Sequence, residues 1–247
     1  MVNNMFYTMK SGKLYLIPCT LGDSSPELAI PRLVMETITD LNIFVVEKVR
    51  TARRYIRQVS SEKNINEITF LEMGKHTTEN EISGYIKYLM EGKDVGILSE
   101  AGVPGIADPG SSLVKMAHEN NLQVIPLTGP SSIMLALMAA GLNGQRFRFH
   151  GYLPINNSER TKTIQLLEKE SEIHDETQVF IETPYRNMAL LDDMLNYLNN
   201  KTRVCIATDI TLPSEFISTR QVLEWKKNKP ELHKRPTVFL LLAGKGK

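Results

Sequence analysis

DVGILSEAGVPGIADPG, residues 94–110, changes character halfway along. Asp94 to Ser99 is a short apolar run behind Gly92, the pattern of a strand covered on both faces. From Gly102 to Gly110 three glycines (Gly102, Gly105, Gly110) and two prolines (Pro104, Pro109) fall within nine residues, with Glu100 and Asp108 the only charges after Ser99. Proline removes a backbone donor and glycine populates left-handed conformations, so the segment continues neither strand nor helix and leaves the sheet as a stiff, irregular loop. Helical spacing resumes at Ser111 with Leu113, Val114 and Ala117. The unit is strand, shaped loop, helix. In open α/β sheets ligands bind outside the carboxyl ends of the strands, where such a loop sits, so we expect it to hold a cofactor. A tight turn that only caps the next helix is the competing reading.

A chain of 247 residues can bury a large core and is comfortable for two domains. Hydrophobic residues make up 42% and charged residues 23%, as in ordinary soluble globular proteins. No apolar run approaches the ~20 residues needed to span a bilayer. The opening MVNNMFYTMKSGK lacks the basic start, apolar core and small-residue cleavage site of a secretory signal. The only cysteines, Cys19 and Cys205, lie in apolar strand-like runs and read as buried thiols in a reducing cytoplasm. A net charge of +1 excludes a generic nucleic-acid coat protein, which would be far more basic. Charge is nevertheless uneven. Lys48, Arg50, Arg53, Arg54 and Arg57 occur together with no acid among them, and residues 221–247 carry Lys226, Lys227, Lys229, Lys234, Arg235, Lys245 and Lys247 against Glu224 and Glu231.

Working outward, strands are expected at Lys13–Cys19, Asn42–Glu47, Glu67–Glu72, Asp94–Ser99 and Leu122–Leu127, separated by helices that begin near Pro31, after Lys48, at Glu79 and at Ser111. Strands spaced by 10 to 15 residues of helix imply parallel pairing through right-handed crossovers. Thr128–Ser132 (TGPSS) interrupts this pattern, which places a domain boundary there: 1–128 a parallel Rossmann-like α/β domain and 129–247 a mixed-sheet α/β domain. The second half has a helix rich in small residues (Ile133–Gly141), strands at Arg146–His150, Gln178–Glu182, Arg203–Thr208, Glu215–Arg220 and Thr237–Leu242, and helices at Ser158–Ser171 and Pro184–Asn199. Arg50, Arg53, Arg54 and Arg57 fall at i, i+3, i+4 and i+7, so their guanidinium groups are expected on one helix face.

SEAGVPGIADPG resembles the S-D-A-G-x-P-G-I-S-D-P-G signature of the tetrapyrrole methylase superfamily, in particular its ribosomal RNA small-subunit methyltransferase I (RsmI-like) branch. The resemblance extends along the chain. LTGPSSIMLALMAAGL is similar to the family's L-P-G-P-S-A helix start, RFRFHGYLP to R-F-x-F-x-G-F-L-P and VFIETPYR to F-Y-E-S-P-H-R, while Glu47 and Arg50 match the outer positions of E-D-T-R. The sequence departs from the family at Glu100 and Lys48, where Asp is usual, at Tyr185, where His is usual, and at ATDITLPSE, a weak echo of the late R-E-L-T-K segment. The resemblance implies two α/β domains with S-adenosylmethionine in the cleft between them, commonly as a homodimer.

Methyl transfer from a sulfonium is an in-line displacement in which the protein chiefly aligns donor and acceptor, a task suited to a rigid loop. Glu100, Ala101, Gly102, Pro104, Gly105, Ile106, Ala107 and Asp108 are the loop's candidate cofactor contacts, with Ser131, Ser132 and Glu182 added from the later motifs. Asp108 with Pro109, Ser131 with Ser132, and Thr183 with Pro184 also read as helix starts. A ribose hydroxyl needs its proton accepted, and Glu47, Glu100 and Glu182 are the candidate acceptors; the sequence does not choose among them. Arg50, Arg53, Arg54 and Arg57 repel one another unless an anion sits there, and RNA phosphate fits. The histidines are scattered without Cys/His ligand spacing, so no metal site is expected. The expected activity is S-adenosylmethionine-dependent 2′-O-methylation of a cytidine in small-subunit ribosomal RNA. A tetrapyrrole or other small-molecule methyltransferase of the same fold, or an inactive RNA-binding relative, is the alternative. A dinucleotide-dependent dehydrogenase needs a glycine fingerprint after the first strand, and Pro18–Ser25 offers only Gly22.

Overall fold

A computed structural model describes residues 11–244; residues 1–10, which hold most of the opening that lacks a secretory signal, and the cations Lys245 and Lys247 lie outside the described residues. Backbone proximity divides the chain into a unit Met1–Pro130 and a unit Ser131–Lys247.

The first unit alternates β1 (Lys13–Ile17), α1 (Arg32–Asp40), β2 (Ile43–Val46), α2 (Val49–Val59), β3 (Thr69–Glu72), α3 (Glu79–Met90), β4 (Val95–Leu98), α4 (Gly110–Glu119) and β5 (Gln123–Pro126). Its strands lie in the order β3-β2-β4-β1-β5 and every pair is parallel. β2 and β4 are buried throughout, which is why they read as unbroken apolar runs and not as alternating ones. Each face of the sheet has its own core. Ile17, Phe44, Val46 and Leu98 pack with Val34 and Ile38 of α1 and Ile56 of α2. Leu14, Val45, Val95 and Ile97 pack with Ile82 and Ile86 of α3 and Leu113 and Ala117 of α4. The chain runs outward from β1 to β3 and then returns through β4 to β5, so right-handed crossovers put α1 and α2 on one face and α3 and α4 on the other. The helix that follows β4 therefore lies on the opposite face from those that follow its neighbours β1 and β2, the topology in which a crevice forms at the carboxyl ends of the strands.

Differences from the expected boundaries have local causes. β1 ends at Ile17 because Pro18 has no N–H to give the ladder. Cys19 instead makes a two-residue antiparallel bridge with Gly102: its N–H donates to the Gly102 carbonyl at 2.8 Å, and its carbonyl accepts from Gly102 N–H at 3.2 Å. β3 starts at Thr69, after a 3₁₀ turn over Ile65–Glu67 begun by the Asn64 side chain. α3 starts where expected, on a capping box between Thr78 and Glu81.

The second unit contains α5 (Ser132–Ala140), β6 (Phe147–Tyr152), α6 (Asn157–His174), β7 (Thr177–Glu182), α7 (Asn187–Tyr197), β8 (Arg203–Thr208), β9 (Phe216–Gln221), α8 (Val222–Lys227) and β10 (Thr237–Leu242). Its sheet runs β6-β7-β10-β8-β9, parallel only between β6 and β7, which makes it the mixed sheet expected. Ala136 and Ala140 are the buried small residues by which α5 packs close to β9 and β10. α8 is absent from the sequence reading. Its signals are the Gln221–Glu224 capping box and the buried pair Val222 and Trp225, masked in a stretch whose charge dominates. Inside this unit the buried Arg160 guanidinium donates to Asp193 at 2.6 Å, so both charges are compensated. Cys19 and Cys205 are free and buried, and burial raises both thiols, which leaves them unreactive as nucleophiles. Among the described residues no helix is long and apolar enough to cross a membrane.

Candidate active site

The loop between β4 and α4 is shaped by three positive-φ residues, Gly102 (+72°), Gly105 (+83°) and Ala107 (+62°). Gly102 suits its place because its φ disfavours any side chain, and a Cβ would also stand a tight 3.1 Å from Leu21 Cδ2. Ser99 Oγ donates to the Gly102 carbonyl at 3.0 Å, and the bridge to Cys19 fastens the same residue to the end of β1. Farther along, one oxygen of Asp108, Oδ1, accepts the N–H groups of both Gly105 and Gly110 at 2.8 Å each. Asp108 thus closes the loop into a ring and satisfies the first N–H of α4. The expected cap is displaced by one position: Pro109 is the residue before the helix, and α4 begins at Gly110. Between these two clamps Ile106 is 51% exposed and Ala107 is also exposed, while Pro104 is buried. The loop presents an apolar tip on a fixed base.

Carboxylates gather around that base. Glu100 is held by α2, with Thr51 Oγ1 donating to Oε1 at 2.7 Å and Lys48 Nζ 3.6 Å from Oε2. Glu47, one residue beyond β2, is half-buried. It lines a small recess with Val46, Met73, Leu98, Asp108 and Gly110. Burial first, then the charges of Asp108 and Glu100, hold its carboxyl above the usual carboxylate range, against the opposing pull of Lys48 and Lys75. Asp108 is also raised, by burial working against its two N–H donors. Among the described residues no three His, Cys, Asp or Glu side chains are placed to share a metal ion. Thr51 and Lys75 are the members of this site that sequence reasoning missed. Neither belongs to a motif, and each matters only because β2, β3 and β4 are neighbours.

The arginines of α2 differ in what they touch. Arg50, Arg54 and Arg57 are exposed and have no ion-pair partner among the described residues. Arg53 leans over the edge of the sheet, its guanidinium donating to Asn66 Oδ1 at 3.0 Å and standing 5.9 Å from the centre of the Phe70 ring. Arg53 stands at the border of the arc these positions cover, and the apolar ring beside that border takes it.

In the second unit, Ser131 precedes α5 as its cap, with Met134 N–H 3.5 Å from its hydroxyl, and Ser132 is the first helical residue. Glu182 ends β7 with its side chain enclosed. Thr183 N–H donates to its Oε1 at 2.6 Å and the Arg186 guanidinium at 2.5 Å, while Oε2 has no partner among the described residues. Thr183 and Pro184 do not begin the helix as expected. They form a turn in which Arg186 N–H donates to the Thr183 carbonyl at 2.9 Å, because the Arg186 side chain folds back on Glu182, and α7 starts at Asn187.

The family description "Tetrapyrrole (Corrin/Porphyrin) Methylases" matches residues 13–224. The chain is 28% identical over 238 residues to a protein named ribosomal RNA small subunit methyltransferase I from Buchnera aphidicola subsp. Schizaphis graminum, covering 95% of this chain and 79% of that one. To the protein of the same name from Escherichia coli O157:H7 it is 27% identical over 233 residues, 93% of this chain and 77% of that one. Among solved structures, the methyltransferase CobJ superposes with a TM-score of 0.63 at 17% identity, covering 95% of both chains, a likeness of fold. With a parallel sheet, a clamped glycine–proline loop after β4, a mixed second sheet and a family match over most of its length, this chain belongs to the tetrapyrrole (corrin/porphyrin) methylases.

Proposed function

We propose that the protein is an S-adenosylmethionine-dependent methyltransferase that modifies small-subunit ribosomal RNA, at the ribose 2′-hydroxyl of a cytidine in the decoding region. The observation that carries this is the acid-rimmed loop after β4. Glu47, Glu100 and Asp108 gather at the carboxyl ends of β2 and β4; burial first, and then the charges of Asp108 and Glu100, raise the Glu47 carboxyl, and a ligand that brings positive charge eases the second of these. S-adenosylmethionine carries a sulfonium and an ammonium group and supplies, when bound, a methyl group activated toward an oxygen nucleophile. Residues Glu100 to Asp108 are the ones that would hold it: the clamped backbone offers polar groups without reordering, and Ile106 and Ala107 offer apolar surface.

The acceptor class is supported by the names of the relatives and by the exposed, acid-free trio Arg50, Arg54 and Arg57, whose rigid forks suit phosphate. The reading includes a homodimer working in the cytoplasm. A ribose-methylation map of small-subunit RNA from cells lacking the protein tests the whole proposal, and one cytidine losing its 2′-O-methyl group is the expected result. An unchanged map, together with stabilisation by S-adenosylhomocysteine, would point instead to a small-molecule acceptor. Saturating S-adenosylhomocysteine at ~100 times its Kd should stabilise the fold by about 2.7 kcal/mol.

A further inference from the structure

Four carboxylates stand near the loop after β4 or match the motifs of this reading, and the structure distinguishes them by what their oxygens already do. Asp108 spends Oδ1 on two backbone N–H groups. Glu100 has one oxygen under the Thr51 hydroxyl and the other near Lys48. Glu182 is enclosed, with Oε1 bound to Arg186 and Thr183 and with Oε2 unpartnered among the described residues but shut away from any acceptor. Glu47 accepts no hydrogen bond among the described residues, is half-buried, and lines the recess outside β2 and β4 together with Asp108 and Gly110.

Resting on the methyltransferase reading above, we propose that Glu47 is the catalytic residue that accepts the proton of the acceptor hydroxyl. In that step the acceptor oxygen forms a bond to the methyl carbon, the carbon–sulfur bond breaks with its electron pair going to sulfur, and the hydroxyl proton passes to a Glu47 carboxylate oxygen. A proton acceptor needs a free oxygen, access, and an affinity for protons closer to neutrality than an ordinary carboxylate has. Glu47 meets all three. The groups facing it from the surrounding elements are Asp108 from the segment before α4, Glu100 from the segment after β4, Lys75 from the segment after β3 and its own neighbour Lys48. The two acids raise its proton affinity and the two lysines lower it, with burial the largest influence.

The test compares wild type, Glu47→Gln and Glu47→Asp in small-subunit RNA methylation against pH, in S-adenosylhomocysteine binding by calorimetry, and in thermal unfolding. Glu47→Gln should lose about 10²–10⁴-fold in kcat and lose the acidic limb of the wild-type pH profile. Its Kd for S-adenosylhomocysteine should weaken by less than about tenfold, far less than kcat falls, because Glu47 adds only one of the negative charges that rim the loop. Glu47→Asp should recover part of kcat with a displaced limb. Independently of activity, carboxyl-carbon NMR should show a resonance, absent from Glu47→Gln, that titrates above the usual carboxylate range and moves down in Glu100→Gln, where one negative neighbour is gone. Should Glu47→Gln fail to fold, the Glu47→Asp limb and the NMR titration decide, and an undisplaced limb refutes the proposal. It is equally overturned by near-wild-type kcat in Glu47→Gln, or by a loss of S-adenosylhomocysteine affinity as large as the loss of kcat. A wild-type enzyme that binds S-adenosylhomocysteine but methylates no small-subunit RNA overturns the parent reading, and this assignment with it.

Discussion

Replacing Asp108 by alanine or by asparagine separates the two things this residue does. Both N–H groups of the ring, from Gly105 and Gly110, converge on the same oxygen at 2.8 Å. Alanine removes both bonds. At a net ~1–1.5 kcal/mol each, the loss is about 2–3 kcal/mol; the neutral-bond figure applies because burial, which raises this carboxyl, offsets the extra strength of a charged acceptor. Asparagine keeps a carbonyl oxygen where Oδ1 stands, so Asp108→Asn should cost less than about 1 kcal/mol. Urea denaturation of both variants measures the difference, and the Asp108→Ala melting point should fall by roughly 5–10 °C. Since the loop must then be ordered by the ligand, S-adenosylhomocysteine affinity should weaken by about ten- to a hundredfold in Asp108→Ala and far less in Asp108→Asn. Wild-type stability and affinity in Asp108→Ala would show that the ring of hydrogen bonds does not hold the loop. A loss in asparagine as large as in alanine would assign the role to charge instead of to the acceptor oxygen.

Reversing the charge of Arg54 and Arg57 should weaken RNA binding and flatten its dependence on salt, with the logarithmic slope falling by about 0.7–0.9 for each phosphate no longer neutralised, as read by filter binding across a potassium chloride series. Arg53→Glu should instead lower thermal stability, because this arginine is engaged with Asn66 and Phe70. The raised carboxyl of Glu47 binds its proton more tightly in the folded than in the unfolded chain, so its contribution to stability is present at low pH and is lost as pH rises from the ordinary carboxylate range through the folded value. Glu47→Gln should therefore be more stable than wild type near neutrality, with the gap closing in acid, when urea midpoints are compared across pH. Gly129→Ala would place a Cβ 2.2 Å from Pro18 Cβ and 2.3 Å from Pro18 Cγ, a ring that cannot swing aside. It should destabilise the first unit by about 1–3 kcal/mol or more in the same denaturation assay.

Much of the fold is legible in residue order because its determinants are local. β2 and β4 announce themselves as apolar runs, α3 by Thr78 and Glu81, and the loop after β4 by its glycines and prolines, each of which restricts the backbone in place. The failures are local readings that a neighbour in space overrides. Thr183 and Pro184 look like a helix start until Arg186 folds onto Glu182, and α8 hides inside a run of lysines whose apolar partners, Val222 and Trp225, face the core. Arg53 belongs to the basic pattern of α2 by spacing and to Phe70 by position.

The sequence alone therefore determined the alternation of strands and helices, the change from a parallel to a mixed sheet, the stiff loop and the family that loop marks. Which of the candidate carboxylates is both uncommitted and open to a ligand was decided only by tertiary structure. Adjacency of β2 and β4 brings Glu47 beside Asp108 and Glu100, residues far from it along the chain, while Thr51 and Lys48 occupy Glu100. Backbone preference is carried by each residue itself, whereas the proton affinity of a carboxyl depends on burial and on charges a few ångströms away, and strand order sets those distances.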